Sequence, residues 1–91
     1  MEKAIALLEV QAMVAAIEGL DAMLKAAAAE LIHVEKRLGG RLVTVVVEGE
    51  LSAVQAAAEA GAAAAAKVGR VMLCEVIARP HPEVMKFLRT K

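Results

Sequence analysis

Few residues of this chain have the type and spacing that chemistry requires. His33 and His81 are far apart, and neither belongs to an H-x-x-x-H or H-E-x-x-H spacing, so no metal site is indicated. Cys74 lies within an apolar run, where a small buried hydrophobe is expected rather than a nucleophile. The carboxylates, among them Glu9, Glu35 and Glu75, fall on expected polar faces or near strand ends. No local spacing forces two of them together for acid–base work. There is no Ser/His/Asp layout and no G-x-x-x-x-G-K-[ST] phosphate loop. The sequence thus nominates no catalytic residue, asks for no cofactor and does not read as an enzyme. What remains is cationic: Lys36, Arg37 and Arg41 flank Gly39-Gly40. Such a tip suits passing contact with anions, through side-chain charge and through backbone N–H groups at the glycines.

The elements around that tip are readable. Gly39-Gly40 sits between two extended runs and can take the positive φ values that a hairpin turn needs. Before it, Glu30–Arg37 alternates Leu31/His33/Glu35 with Ile32/Val34/Lys36. After it, Leu42–Val47 is nearly all β-branched. Lys3–Val10 is a short apolar run that suits a central strand. Over 11–29 the period changes, and Met13, Ile17, Leu20 and Leu24 predict the inward face of a helix carried to its end by the alanines at 26–29. Asp21 and Lys25 are placed to pair on another side of it. Gly19 costs roughly 1 kcal/mol against alanine there, a cost that close packing would explain.

A second helix is predicted from Leu51 to Val68. Ser52 and Gln55 have capping-box spacing, and Leu51, Val54, Ala58, Gly61, Ala62, Ala65 and Val68 belong to its inward face, with Gly69 as its C-cap. Val71–Ala78 reads as the fourth strand, ended by Arg79-Pro80-His81-Pro82. Glu83–Arg89 then reads as a short helix with Val84, Phe87 and Leu88 on its apolar side. The order β-α-β-β-α-β implies an α+β, ferredoxin-like fold: a four-stranded antiparallel sheet, two helices on one face and a short C-terminal helix.

Composition bounds what this fold could do. The 91 residues suffice for a single domain over 1–91, and a chain of that length hides only about 60–65% of its unfolded surface, so self-association would help it. The chain is 59% hydrophobic with no Trp or Tyr and one Phe, much of the apolar count being alanine. Alanine-smooth helix faces suit subunit packing. Eleven basic residues balance eleven acidic ones, and the sheet lacks aromatics to stack bases, so nucleic acid is not an expected partner. No apolar run is long enough for a membrane span, the first residues have no signal-peptide layout, and one cysteine permits no intrachain disulfide. These features predict a soluble, cytosolic protein.

Three segments narrow the function: AIALLEV at 4–10, AAIEGLDAMLKAA at 15–27 and VIARPHPEV at 76–84. With VTVVVEGE and the alanine-rich AAAEAGAAAAAKVGRV between them, the chain resembles the bacterial microcompartment shell proteins of the single-domain, hexamer-forming type. The resemblance is colinear over nearly the whole chain. It implies a homohexameric tile that packs against neighbouring hexamers and other shell proteins in the wall of a cytoplasmic microcompartment around enclosed enzymes. It also implies a central pore lined by Arg37, Leu38, Gly39, Gly40 and Arg41. Lys25 of D-A-M-L-K-A, with Arg79 and His81 of R-P-H, would lie at the tile edge. Relatives commonly carry a shorter glycine- and serine-rich loop after E-K, and a proline where this chain has Ala78. A different class of reading is a small regulatory domain of the same topology, dimeric or trimeric, binding an anionic ligand at its basic loop.

Overall fold

The apolar run at the start of the chain becomes β1 (Ala4–Gln11), the strand that all others depend on. A computed structural model describes residues 3–89; Met1, Glu2, Thr90 and Lys91, the ends of the expected 1–91 domain, lie outside the described residues. The remaining elements are α1 (Met13–Ala26), β2 (Glu30–Arg37), β3 (Leu42–Gly49), α2 (Leu51–Ala66), β4 (Arg70–Ile77) and α3 (Pro82–Arg89). The sheet order is β2-β3-β1-β4, with every neighbouring pair antiparallel. This is the expected ferredoxin-like α+β arrangement.

Because side chains alternate along a strand, β1 serves both faces of the sheet. Ala4, Ala6, Leu8 and Val10 meet Val43, Val45 and Val47 of β3 beneath α1 and α2. Ile5 points the other way, where it joins Val46 and Leu88 beneath α3.

The two long helices meet where both lack a side chain. A Cβ on Gly19 would sit 2.7 Å from Leu8 Cδ2 and 3.2 Å from the Gly61 carbonyl oxygen; one on Gly61 would strike Met23. Such close backbone approach needs glycine on both helices. It also decides which face of α1 turns inward. Ala15, Ala16, Gly19 and Met23 are buried, while Ile17 is 59% exposed and Leu24 is exposed too. The expected stripe Met13/Ile17/Leu20/Leu24 is therefore not the buried one, although Met13 and Leu20 pack at its margin. Mostly small residues face the core at the crossing, with Met23 the one long side chain of α1 buried beside Gly61.

Several boundaries also move. Helix α1 stops at Ala26 because Ala27 is extended, and the Ala28 carbonyl closes against Gly49 at the end of β3. Ser52 forms no capping box: α2 starts at Leu51, which places Ser52 inside the first turn, and no side chain caps that end. Val54, Ala57, Ala58, Gly61 and Ala65 are its buried residues, with Ala62 partly buried against them, whereas Leu51 and Val68 are exposed. Lys67 rather than Gly69 is the C-cap of α2; Gly69 is instead a site of close approach, where a Cβ would lie 2.6 Å from Ala15 Cβ.

In β2 a bulge between Leu31 and His33 breaks the expected alternation. Leu31 pairs with Val47 and Val34 with Val45, so both lie on the α1/α2 side, while His33 pairs with Val46 on the α3 side. On α3, Leu88 is buried and Met85 packs beside it, but Val84 and Phe87 face outward, Phe87 at 76% exposure. The apolar residues of α3 are thus divided between its two sides. Replacing Gly61 by Val should lower stability by about 1–3 kcal/mol through overpacking against Met23 and the Gly19 backbone. Urea unfolding checks this; an unchanged midpoint would contradict the close crossing.

Candidate functional site

The basic tip is built by the pairing of β2 with β3. Arg37 is paired with Leu42, so the loop between the strands is four residues, Leu38 to Arg41, rather than a two-residue glycine turn. Gly39 and Gly40 take φ values of 65° and 89°, as the diglycine predicts, and added Cβ atoms at both would meet open space. Leu38 does so as well, at φ 55°, a conformation that costs a non-glycine residue roughly 1–2 kcal/mol. Its side chain is 65% exposed.

Arg41 holds this strained turn together. Its backbone N–H donates to the Leu38 carbonyl oxygen at 3.3 Å, and its side-chain Nε–H donates to the same oxygen at 3.0 Å. Its own carbonyl accepts from Ala12 N–H at 3.1 Å. That bond ties the loop to the β1–α1 junction, where Ala12 takes φ 79°. One of the two arginines expected at the tip is thus partly used as a brace, leaving its terminal nitrogens to face outward, while Arg37 continues β2 in extended conformation.

The other sequence-nominated residues occupy two further places. Lys25 lies on the exposed side of α1, its Nζ 2.8 Å from the Asp21 carboxylate. The hydrogen bond to Asp21, and then its charge, raise the Lys25 pKa above the ordinary lysine value. The sign is that of a cation gaining a partner. The pair's contribution is complete below the ordinary value and is lost as pH rises through the raised one. Arg79 and His81 share a cleft with Lys3, Glu48, Met85 and Arg89. Glu48 is buried there and accepts from Arg89 Nη2 at 2.6 Å, with Lys3 Nζ at 3.8 Å. Nothing in the sequence signals this pair, which joins residues 41 positions apart.

Cys74 is half-buried on β4, with Sγ 3.7 Å from the Ala58 carbonyl oxygen. Burial first, and then the Glu75 charge, push its thiol above the ordinary value, which keeps it protonated and unreactive. His33 Nε2 is 3.1 Å from Glu35 on the edge strand, two residues on along the regular part of β2 and so on the same face.

Three loci therefore stand on one thin scaffold: the braced 38–41 loop, the Lys25–Asp21 pair and the Arg79–His81 cleft. The family model described as the BMC domain matches residues 4–80, from the first residue of β1 to the R-P of the R-P-H segment. The chain belongs to the BMC-domain family.

Its relatives agree with that assignment. It is 48% identical over 87 residues to the bacterial microcompartment shell protein PduA of Salmonella typhimurium, covering 96% of this chain and 92% of that one. It is 44% identical over 82 residues to the shell protein EutM of Escherichia coli, covering 90% and 84%. Among solved structures, a microcompartments protein from Desulfitobacterium hafniense DCB superposes with a TM-score of 0.84 at 30% identity. That match takes in 98% of this chain, which spans about half (48%) of the solved one.

The strain at Leu38 gives a direct test of the loop geometry. Leu38→Gly should hold or raise stability, and Leu38→Val, β-branched at a positive φ, should lower it by roughly 1 kcal/mol or more. Equal melting temperatures for the two variants would contradict the conformation described.

Proposed function

We propose that six copies of this shell subunit close into a cyclic hexamer whose axis is lined by the 37–41 loop. Hexamers would then pack edge to edge through Lys25, Arg79 and His81 into the facets of a bacterial microcompartment. In this reading residues 1–91 act as one structural domain, the subunit performs no chemistry of its own, and the shell encloses enzymes in the bacterial cytoplasm. Other shell proteins share the wall with it.

The observation that carries the reading is the apolar surface left uncovered by a single chain. The two sheet edges and the outer side of α1 expose Val14, Ile17, Leu31, Val34, Met72 and Leu73, the last at 60%. Both edge strands also carry unpaired backbone groups beside those side chains. A small monomer rarely leaves so much apolar surface open, whereas a ring of subunits covers it.

At the axis, the loop offers Arg37, the outer nitrogens of Arg41, and backbone N–H groups at Gly39 and Gly40. Repetition by symmetry would multiply these into a positive collar that favours small anionic or polar metabolites and opposes cations. At the edge, each exposed contact of Lys25 or Arg79 contributes about 0–1 kcal/mol, but repetition around a tile makes small changes decisive.

Two measurements test this. Negative-stain microscopy should show flat sheets or tubes with a hexagonal lattice, abolished in Lys25→Ala; dimers or trimers that bind anions without tiling would favour the regulatory-domain reading. In crystals of the hexamer grown with sulfate, an anion on the axis should be weakened or lost in the Arg37→Ala, Arg41→Ala double variant. Unchanged axial density would contradict the positive collar.

A further inference from the structure

Helix α1 runs between the two places that the tile would use as its axis and its rim. It begins just after Ala12, whose N–H donates to the Arg41 carbonyl oxygen of the 38–41 loop. Two residues past its end, the Ala28 carbonyl lies against Gly49. Gly49 pairs with Ala4, at the end of the sheet opposite the loop, and Gln11 pairs with Leu42 at the loop end. The 14 residues of α1 span about 21 Å between these ends. Arg79 follows closely on Ile77, which pairs with Ile5, so it belongs to the same end as Lys25.

Lys25 carries its own counter-charge there. Its Nζ is 2.8 Å from the Asp21 carboxylate, and the two side chains are 77% and 56% exposed. Glu18, one turn earlier and also exposed, adds to the attraction for that cation. Identical hexamers laid side by side with the same face up share each edge across a two-fold axis, so the patch on one meets the same patch on the other. A patch bearing a lone cation is not complementary to its own copy, because two ammonium groups brought together repel. A patch bearing a cation and an anion side by side is complementary to itself. After half a turn each lysine meets the aspartate of the other copy.

We propose that Asp21 is part of the tile edge: it makes the Lys25 patch self-complementary, so that a second copy of this chain docks there with Lys25 and Asp21 paired across the edge as well as within each helix. The proposal rests on reading Lys25 as an edge residue and adds the charge that lets two such residues approach. Within a single subunit an exposed pair of this kind contributes little. Repeated along every edge of a tile, the same pair decides whether neighbouring hexamers attract or repel.

Sheet formation by wild type, Asp21→Asn and Asp21→Glu, followed by sedimentation and negative-stain microscopy, tests this, with native mass spectrometry reporting whether each variant is hexameric. The comparison is made at about 20 mM salt, where surface charges are weakly screened, and at about 0.5 M, where they are strongly screened. Asp21→Asn keeps the shape but leaves two lysines facing each other. The protein concentration it needs to form sheets should rise about fivefold over wild type at low salt, and the difference should vanish at high salt. Asp21→Glu keeps the charge and should match wild type at both. The proposal is overturned if Asp21→Asn assembles as wild type does at low salt, if its defect persists at high salt, if it is no longer hexameric, or if Asp21→Glu shares its defect. Lys25→Ala separates this from the edge reading itself. Sheets that survive Lys25→Ala would remove Lys25 from the edge and overturn both, whereas sheets lost in Lys25→Ala but unchanged in Asp21→Asn would overturn the role of Asp21 alone.

Discussion

The crossing of α1 and α2 at Gly19 and Gly61 is the constraint from which much of this molecule follows. Two helices that touch backbone to backbone lie close to each other and close to the sheet, so the Cα trace spans only 16 Å in its thinnest direction against 35 Å in its longest. A slab this thin has a shallow interior. Alanines and glycines, with Met23 and Val54, fill the helix side of it, and valines, Leu8 and two alanines fill the sheet side. Large side chains such as Ile17 and Val14 have nowhere to go but outward. The alanine richness of the sequence and the apolar exterior are thus two consequences of one packing choice. The same choice suits a subunit whose job is to be a flat piece of wall.

The order of elements was legible in the sequence because period changes are strong signals: extended, helical and β-branched runs succeed each other with little overlap. The inward face of α1 was not legible. A moment-based reading sends the largest apolar residues to the core, and here a glycine contact sends alanines there. The bulge in β2 was equally silent, since Leu31-Ile32-His33-Val34 alternates as well in one register as in another. The division of α3 into a buried Met85/Leu88 side and an outer Val84/Phe87 side depends on what lies beneath the helix, which no local pattern reports.

The candidate site was legible to a similar degree. Gly39-Gly40 announced a turn with positive φ, and the turn has it. The strain at Leu38 and the brace from Arg41 were hidden, because leucine in that conformation is uncommon and a side chain folding back on its own loop leaves no mark in the sequence. The R-P-H segment drew notice as a motif. Its local role, with histidine as N-cap and proline at the first helical position, could have been read from His81-Pro82 alone. Glu48 with Arg89 could not, since only the fold brings them together.

The claim on which the account turns is that the exposed edges and outer helix face of this subunit close on copies of itself. Native mass spectrometry of the purified protein tests it most directly. The account predicts a dominant species of six chains that persists on dilution. A stable monomer, or a closed dimer or trimer with no six-chain species, would contradict it.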